Sequence, residues 1–206
     1  NDFGISVRGP AVIGGRRSPS GPCVSPCNLI SGNGMGIYVA AFEDVAGVEI
    51  FYPVTIRGNT IGPNIDGQPL PVSQVGDGIH VAASSGVAIG GTEPGEGNLI
   101  AFNGAGVVLE SLSGPPSTRH TIRGNRIFAN ARLGIDLVAP FGLVGDGVTP
   151  NDIGDEDAGG NDLQNFPEWR EVRTIDGQVR ITGRIPIHST VQGTYLVDLY
   201  LNTRCD

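Results

Sequence analysis

Four stretches of the chain share one pattern: "CNLISGN" (27–33), "GNTIGPN" (58–64), "GNLIAFN" (97–103) and "GNRIFAN" (124–130). Each reads Asn, any residue, Ile, two residues, Asn. Two further motifs travel with it. One is Gly-[Ile/Val]-x-[Val/Leu], beginning at residues 4, 36, 78, 106 and 134. The other ends in Ile-x-Gly, as in "AVIGG" (11–15), "VTIRG" (54–58), "VAIGG" (87–91) and "HTIRG" (120–124). The order is constant: Gly-Ile-x-Val, then Ile-x-Gly, then the Asn pair. A fixed succession of three short segments per period is the signature of a solenoid, because one unit cannot bury its own apolar side and stacked units share a core.

Apolar residues alternate with others within each segment, so the segments read as strands. Stacking lines up Ile5, Ile37, Ile79, Val107 and Ile135 as one inner column. Ile13, Ile56, Ile89 and Ile122 form a second, and Ile30, Ile61, Ile100 and Ile127 a third. Three columns predict an all-β chain: a right-handed parallel β-helix of three sheets and about five coils. Helical periodicity is nearly absent, which disfavours a β/α horseshoe. Repeats over 1–137 are followed by an Asp-rich loop and cap (138–169), then by β-strands of a small or truncated module (170–206).

The paired asparagines then have a role. Asn28, Asn59, Asn98 and Asn125 would stack at one bend, and Asn33, Asn64, Asn103 and Asn130 at another, about 4.8 Å apart per coil. A bend inside a solenoid strands backbone donors and acceptors, and a side-chain amide supplies both kinds of partner.

Composition narrows the function. All 13 basic residues are Arg and the formal net charge is −8, which argues against nucleic acid and anionic membranes as partners. No run approaches the 18 or so apolar residues that a membrane span needs, and "NDFGISVRGP" carries no signal-peptide pattern. Cys23 and Cys27 are spaced to close a small disulfide loop. Half of a metal site is the alternative, but no second Cys/His pair follows. Cys205 is left over, suggesting a partner in an adjoining stretch of a longer chain.

The Asn-Ile repeat over 4–137 and the tail "GIDLVAPFGLVGDGVTPNDIGDEDAGGNDLQNFPEW" (134–169) resemble the right-handed β-helix proteins of the pectin-lyase-like superfamily. Within it, they look like repeat domains of large bacterial secreted or cell-surface proteins. The resemblance implies a secreted or surface-borne module, adjoined by further domains, in a superfamily that mostly cleaves, epimerises or binds polysaccharides. Its lyases often use Arg beside calcium-binding Asp. Arg57 and Arg123 occupy equivalent strands, with Arg180 and Arg184 further on, but neither the Arg motif nor the Asp cluster of those enzymes is present.

Two candidate sites emerge from the residues. Asp152, Asp155, Asp157 and Asn161 are spaced like an oxygen-ligand loop for a hard cation such as Ca2+. A solvated cap is the alternative reading, and in either case Phe166 and Trp169 are expected to cover the end of the core. The second candidate is the outward column Ser6, Tyr38, His80, Val108 and Asp136. Tyr38 could stack on a sugar with His80 as the polar neighbour, and His80 or Asp136 could move a proton. Val108 holds those two about 9–10 Å apart, beyond hydrogen-bond reach, so a varied solvent face is the plainer expectation. His120 and His188 read as structural. The leading functional expectation is a structural or adhesion module with some affinity for glycans; the alternative is a polysaccharide lyase or glycosidase.

Overall fold

The computed structural model describes residues 1–18, 22–40, 42–43, 49–70, 76–111, 117–140, 142, 147–186 and 196–199. Three parallel sheets dominate it. The first contains, in spatial order, Phe3–Val7, Met35–Ala40, Ile79–Ala82, Val107–Glu110 and Ile135–Val138. The second contains Ala11–Gly14, Val54–Arg57, Ala88–Gly90 and Thr121–Arg123, and the third Leu29–Ile30, Thr60–Ile61, Leu99–Ala101 and Arg126–Phe128. Each sheet takes one strand per round of the repeat, and the strands lie in chain order. The chain is therefore an all-β parallel solenoid.

Register follows the sequence columns. Ile5, Ile37, Ile79, Val107 and Ile135 are successive partners across the first sheet. Ile13, Ile56, Ile89 and Ile122 do the same in the second, and Ile30, Ile61, Ile100 and Ile127 in the third. Ile37, Ile56, Ile61, Ile79, Ile100 and Val107 have no exposed surface. Each such burial contributes about 1.5–3 kcal/mol, and the three columns merge into one core between the sheets.

The glycine of Gly-Ile-x-Val also has a cause. A Cβ on Gly78 would lie 2.7 Å from both Gly106 O and Ile100 Cγ2, and one on Gly36 would lie 2.4 Å from Gly78 O. Consecutive rounds approach too closely there for any side chain.

Outside the sheets, Phe42–Glu43 pairs antiparallel with Glu49–Ile50. A longer antiparallel hairpin joins Glu168–Ile175 to Gln178–Arg184. Its turn is Asp176-Gly177, both at positive φ (50° and 75°), as a two-residue hairpin loop requires. Between solenoid and hairpin lies one 3-10 turn, Gly160–Leu163. The aromatic cap is not formed as expected: Phe166 is 44% and Trp169 51% exposed. Leu163 is buried instead. Gly160 backs onto Leu109, where a Cβ would lie 2.0 Å from the carbonyl oxygen. A backbone without a side chain approaches the last strands more closely than an indole can.

Candidate functional site

The first of the two bends is a continuous amide ladder. Asn28 Nδ2 donates to Asn59 Oδ1 at 2.9 Å, Asn59 Nδ2 to Asn98 Oδ1 at 3.0 Å, and Asn98 Nδ2 to Asn125 Oδ1 at 2.9 Å. Each accepting oxygen also takes the backbone N–H of the preceding asparagine. The amides reach backwards as well: Asn59, Asn98 and Asn125 donate to the carbonyls of Ile13, Ile56 and Ile89. One interior asparagine thus ties three rounds together. At the second bend Asn103 and Asn130 repeat the arrangement. Asn33 and Asn64 do not. Asn64 Oδ1 accepts the N–H groups of Asp66 and Gln68, because the long loop after it needs its own turn cap. Asn33 donates to Ser31 O.

The column Ser6, Tyr38, His80, Val108, Asp136 lies in register on the first sheet, but only its first members meet solvent, Ser6 being exposed and Tyr38 half-buried. Val108 and Asp136 have no exposed surface, and His80 has 6%. Val108 packs with Ala105 and Val138. As the strand spacing requires, His80 and Asp136 are separated by Val108.

His80 instead meets residues that the sequence reading missed. Its Nδ1 is 3.0 Å from Asp77 Oδ2 and its Nε2 is 2.9 Å from Glu110 Oε2. Asp77 Oδ1 in turn accepts from Arg132 Nη2 at 2.8 Å and from the Ala105 N–H at 3.3 Å. Burial opposes charge on the imidazole, yet the hydrogen bonds and charges of Asp77 and Glu110 outweigh it and raise the His80 pKa above its ordinary value. As an imidazolium it donates from both nitrogens. A signal was present: Asp77 precedes His80 by three residues around the glycine bend. Glu110 is two residues beyond Val108 and therefore shares its face. Tyr38 stands beside this group, its ring 5.7 Å from His80 and 5.1 Å from Phe3.

The second candidate holds in part. Asp152, Asp155 and Asp157 offer oxygens all within 4.8 Å of one another. Burial, then the charges of Asp152 and Asp155, push the Asp157 carboxyl pKa up, and its buried Oδ1 has no hydrogen-bond donor among the described residues. Three converging carboxylates with one orphaned oxygen suit a hard cation. Asn161 is engaged elsewhere: it accepts from the His120 N–H at 2.9 Å and donates to the His120 carbonyl. Asn165, which is buried, braces the cluster. Its N–H donates to Asp155 at 2.7 Å and its amide to Asp152 at 3.2 Å.

The remaining candidates have local roles. Cys23 and Cys27 form a disulfide; Cys205 and His188 lie outside the described residues. His120 Nδ1 accepts from the Val87 N–H, its Nε2 faces Ser117 Oγ at 3.0 Å, and burial lowers its pKa to about 4. Arg57 pairs with Glu96, Arg184 with Glu168, and Arg123 with Asp198. Arg180 sits opposite Arg173 on the hairpin.

Comparison with protein-family models, with curated proteins and with solved structures finds no match to this chain.

Proposed function

We propose that this chain is a non-catalytic extracellular module: a right-handed β-helix of about five coils, with the pectin-lyase-like architecture that its repeat resembles. It would act as a rigid structural or adhesion segment of a larger bacterial secreted or cell-surface protein, adjoined by further domains and binding glycans. The observation that carries this reading is the state of His80. Both ring nitrogens are engaged by carboxylates of the chain itself, so the imidazole is committed to internal partners. The continuous ladder from Asn28 to Asn125 supports the same reading, since its bonds run from round to round.

The Asp152, Asp155 and Asp157 cluster is proposed as a structural calcium site of this module. The calcium would neutralise three crowded carboxylates and hold the loop against the end of the core; no chemistry on a substrate is assigned to it.

The enzymatic alternative rests on Glu110, whose side chain keeps 20% of its surface beside His80. A carboxylate braced by an imidazolium is a possible acid or base for a polysaccharide lyase or glycosidase. Incubation with acidic and neutral polysaccharides, with millimolar calcium and with chelator, tests both. Binding without new reducing or unsaturated ends supports the adhesion module. Product formation that disappears in Glu110→Gln would replace it with the enzyme.

A further inference from the structure

The second sheet ends at Thr121–Arg123, the outermost of its four strands. Beside it the end of the core is open. Ile135 is 44% exposed, and Ile122 and Leu137 are half-buried, whereas Ile79, Ile56 and Val81, their counterparts in earlier rounds, have no exposed surface. An uncovered solenoid end invites another stretch of chain.

One stretch returns to it. Residues 196–199 meet this end at Arg123. Leu196 faces a cavity of about 500 Å3 that Ile122, Ile135 and Phe166 also line. Val197, Asp198 and Leu199 face another of about 620 Å3, and Arg123 lines both. Arg123 Nε and Nη2 donate to the two oxygens of Asp198 at 2.8 and 2.6 Å, and the Gly124 N–H donates to one of them at 3.1 Å. A planar fork with a backbone N–H beside it matches a carboxylate. The repeat itself builds this cradle: Gly124 sits at φ 64°, and a Cβ there would lie 2.1 Å from Gly91 O. Arg17 and Arg126 line the larger cavity too, with Glu93 as the acid on the repeat side. In a chain of net charge −8 this corner is locally positive and selects an acidic segment.

The apolar residues of the segment add little to the contact. Leu196, Val197 and Leu199 stay 73%, 44% and 61% exposed. The segment is therefore held by its one carboxylate, in a bridge that solvent and a competitor can reach, since both side chains are partly exposed. Cradle and carboxylate are 75 residues apart in the chain. The Pro186 carbonyl accepts from the Asn165 amide at 2.9 Å. Nine residues join Pro186 to Leu196, a reach of at most about 35 Å. Every other copy of the chain offers the same segment on the same tether.

We infer that the Arg123–Gly124 cradle is a docking site for residues 196–199 of a second copy of this chain. The chain's own segment competes for it. The second copy supplies Asp198, without which the site is incomplete. A second copy is favoured over an unrelated acidic protein because the occupant seen on the cradle, Asp198 between Val197 and Leu199, is carried by every copy. Since each cradle starts filled, exchange between intact chains is weak.

Complementation in the whole chain tests this. Asp198→Asn keeps the cradle and loses the carboxylate; Arg123→Gln keeps the segment and loses the fork. Circular dichroism checks that both fold. In sedimentation equilibrium each variant alone should be monomeric. Their equimolar mixture should form a one-to-one dimer, because an empty cradle then meets an unheld carboxylate. The wild type should dimerise at least about tenfold more weakly than the mixture, equivalent to about 1.4 kcal/mol. A mixture that stays monomeric would overturn the inference. So would association of either variant alone, which would assign the contact to another surface, or a wild type that dimerises as tightly as the mixture. A second reading needs neither variant: fluorescence anisotropy of a labelled peptide of residues 194–201 against the wild type. The peptide should bind, and its form with Asn in place of Asp198 should not. Equal binding of the two peptides, or binding of neither, would equally overturn the docking site.

Discussion

His80 Nε2 lies 2.9 Å from Glu110 Oε2, on the neighbouring strand of the first sheet. Asp77, bound to the other ring nitrogen, is tied to Arg132 in the following round. The imidazole therefore links neighbouring rounds through two carboxylates, Asp77 and Glu110, that favour its charged form. Its folded pKa is raised above the ordinary 6.5. A base with a raised folded pKa gives its full stabilisation below the unfolded value and loses it as pH rises through the folded one. Unfolding midpoints should therefore decline as pH rises above about 6.5, and His80→Gln should remove that slope. His120, lowered to about 4, has the opposite sign: it costs stability as pH falls from about 6.5 towards 4. Denaturant titrations of the wild type and His80→Gln across pH 4–9 separate the two; a His80→Gln curve parallel to wild type would contradict that link.

Replacing Asn98 by Ala removes the acceptor for Asn59 and the donors to Ile56 and Asn125. Buried partners left without hydrogen bonds should cost at least about 1–3 kcal/mol. Asn64→Ala, outside the ladder, should cost less than half as much. Equal losses in urea unfolding would show that stacking of the amides contributes nothing of its own.

The acidic cluster predicts a crossing. Without divalent cations, Asp157→Asn should raise the melting temperature, because it removes a half-buried charge beside Asp152 and Asp155. In millimolar calcium the wild type should gain several degrees and overtake the variant. Scanning calorimetry with calcium and with chelator reads both arms, and a wild type indifferent to calcium would leave the loop as a solvated cap.

Close approach at the Gly-Ile-x-Val glycines predicts a contrast. Gly78→Ala should destabilise by about 1–3 kcal/mol through overpacking against Gly106 and Ile100. Gly9→Ala, with nothing within 4 Å of the added carbon, should be neutral or gain up to about 1 kcal/mol. Midpoints of the two variants at one denaturant concentration series decide it.

The strand columns were legible because their information is local and repeated: four or five copies of one apolar position point to the same core. The ladder at Asn28 to Asn125 was legible for that reason, and Asn64 failed because a single long loop recruited it. The His80 group was half legible. Its own position followed from strand alternation, but burial of the face depends on what packs beyond Val108 and Asp136, which no period encodes. Asn161 and Asn165 show the same limit. Both lie in one short loop, and only its three-dimensional path decides which amide turns towards the carboxylates.

The ladder has a direction. Every Asn-to-Asn bond from Asn28 to Asn98 runs towards the later round, although Asn59 and Asn98 also donate back to backbone carbonyls of the earlier one. The side-chain dipoles therefore add along the solenoid axis instead of cancelling, and the two ends of the column are chemically unlike. Asn28 presents an oxygen that accepts nothing among the described residues, and Asn125 an N–H with no further asparagine to receive it. A second solenoid of the same kind could prolong this column only head to tail. Two identical ends would set acceptor against acceptor or donor against donor. Polarity written into four amides thus gives the solenoid a direction beyond that of its parallel strands.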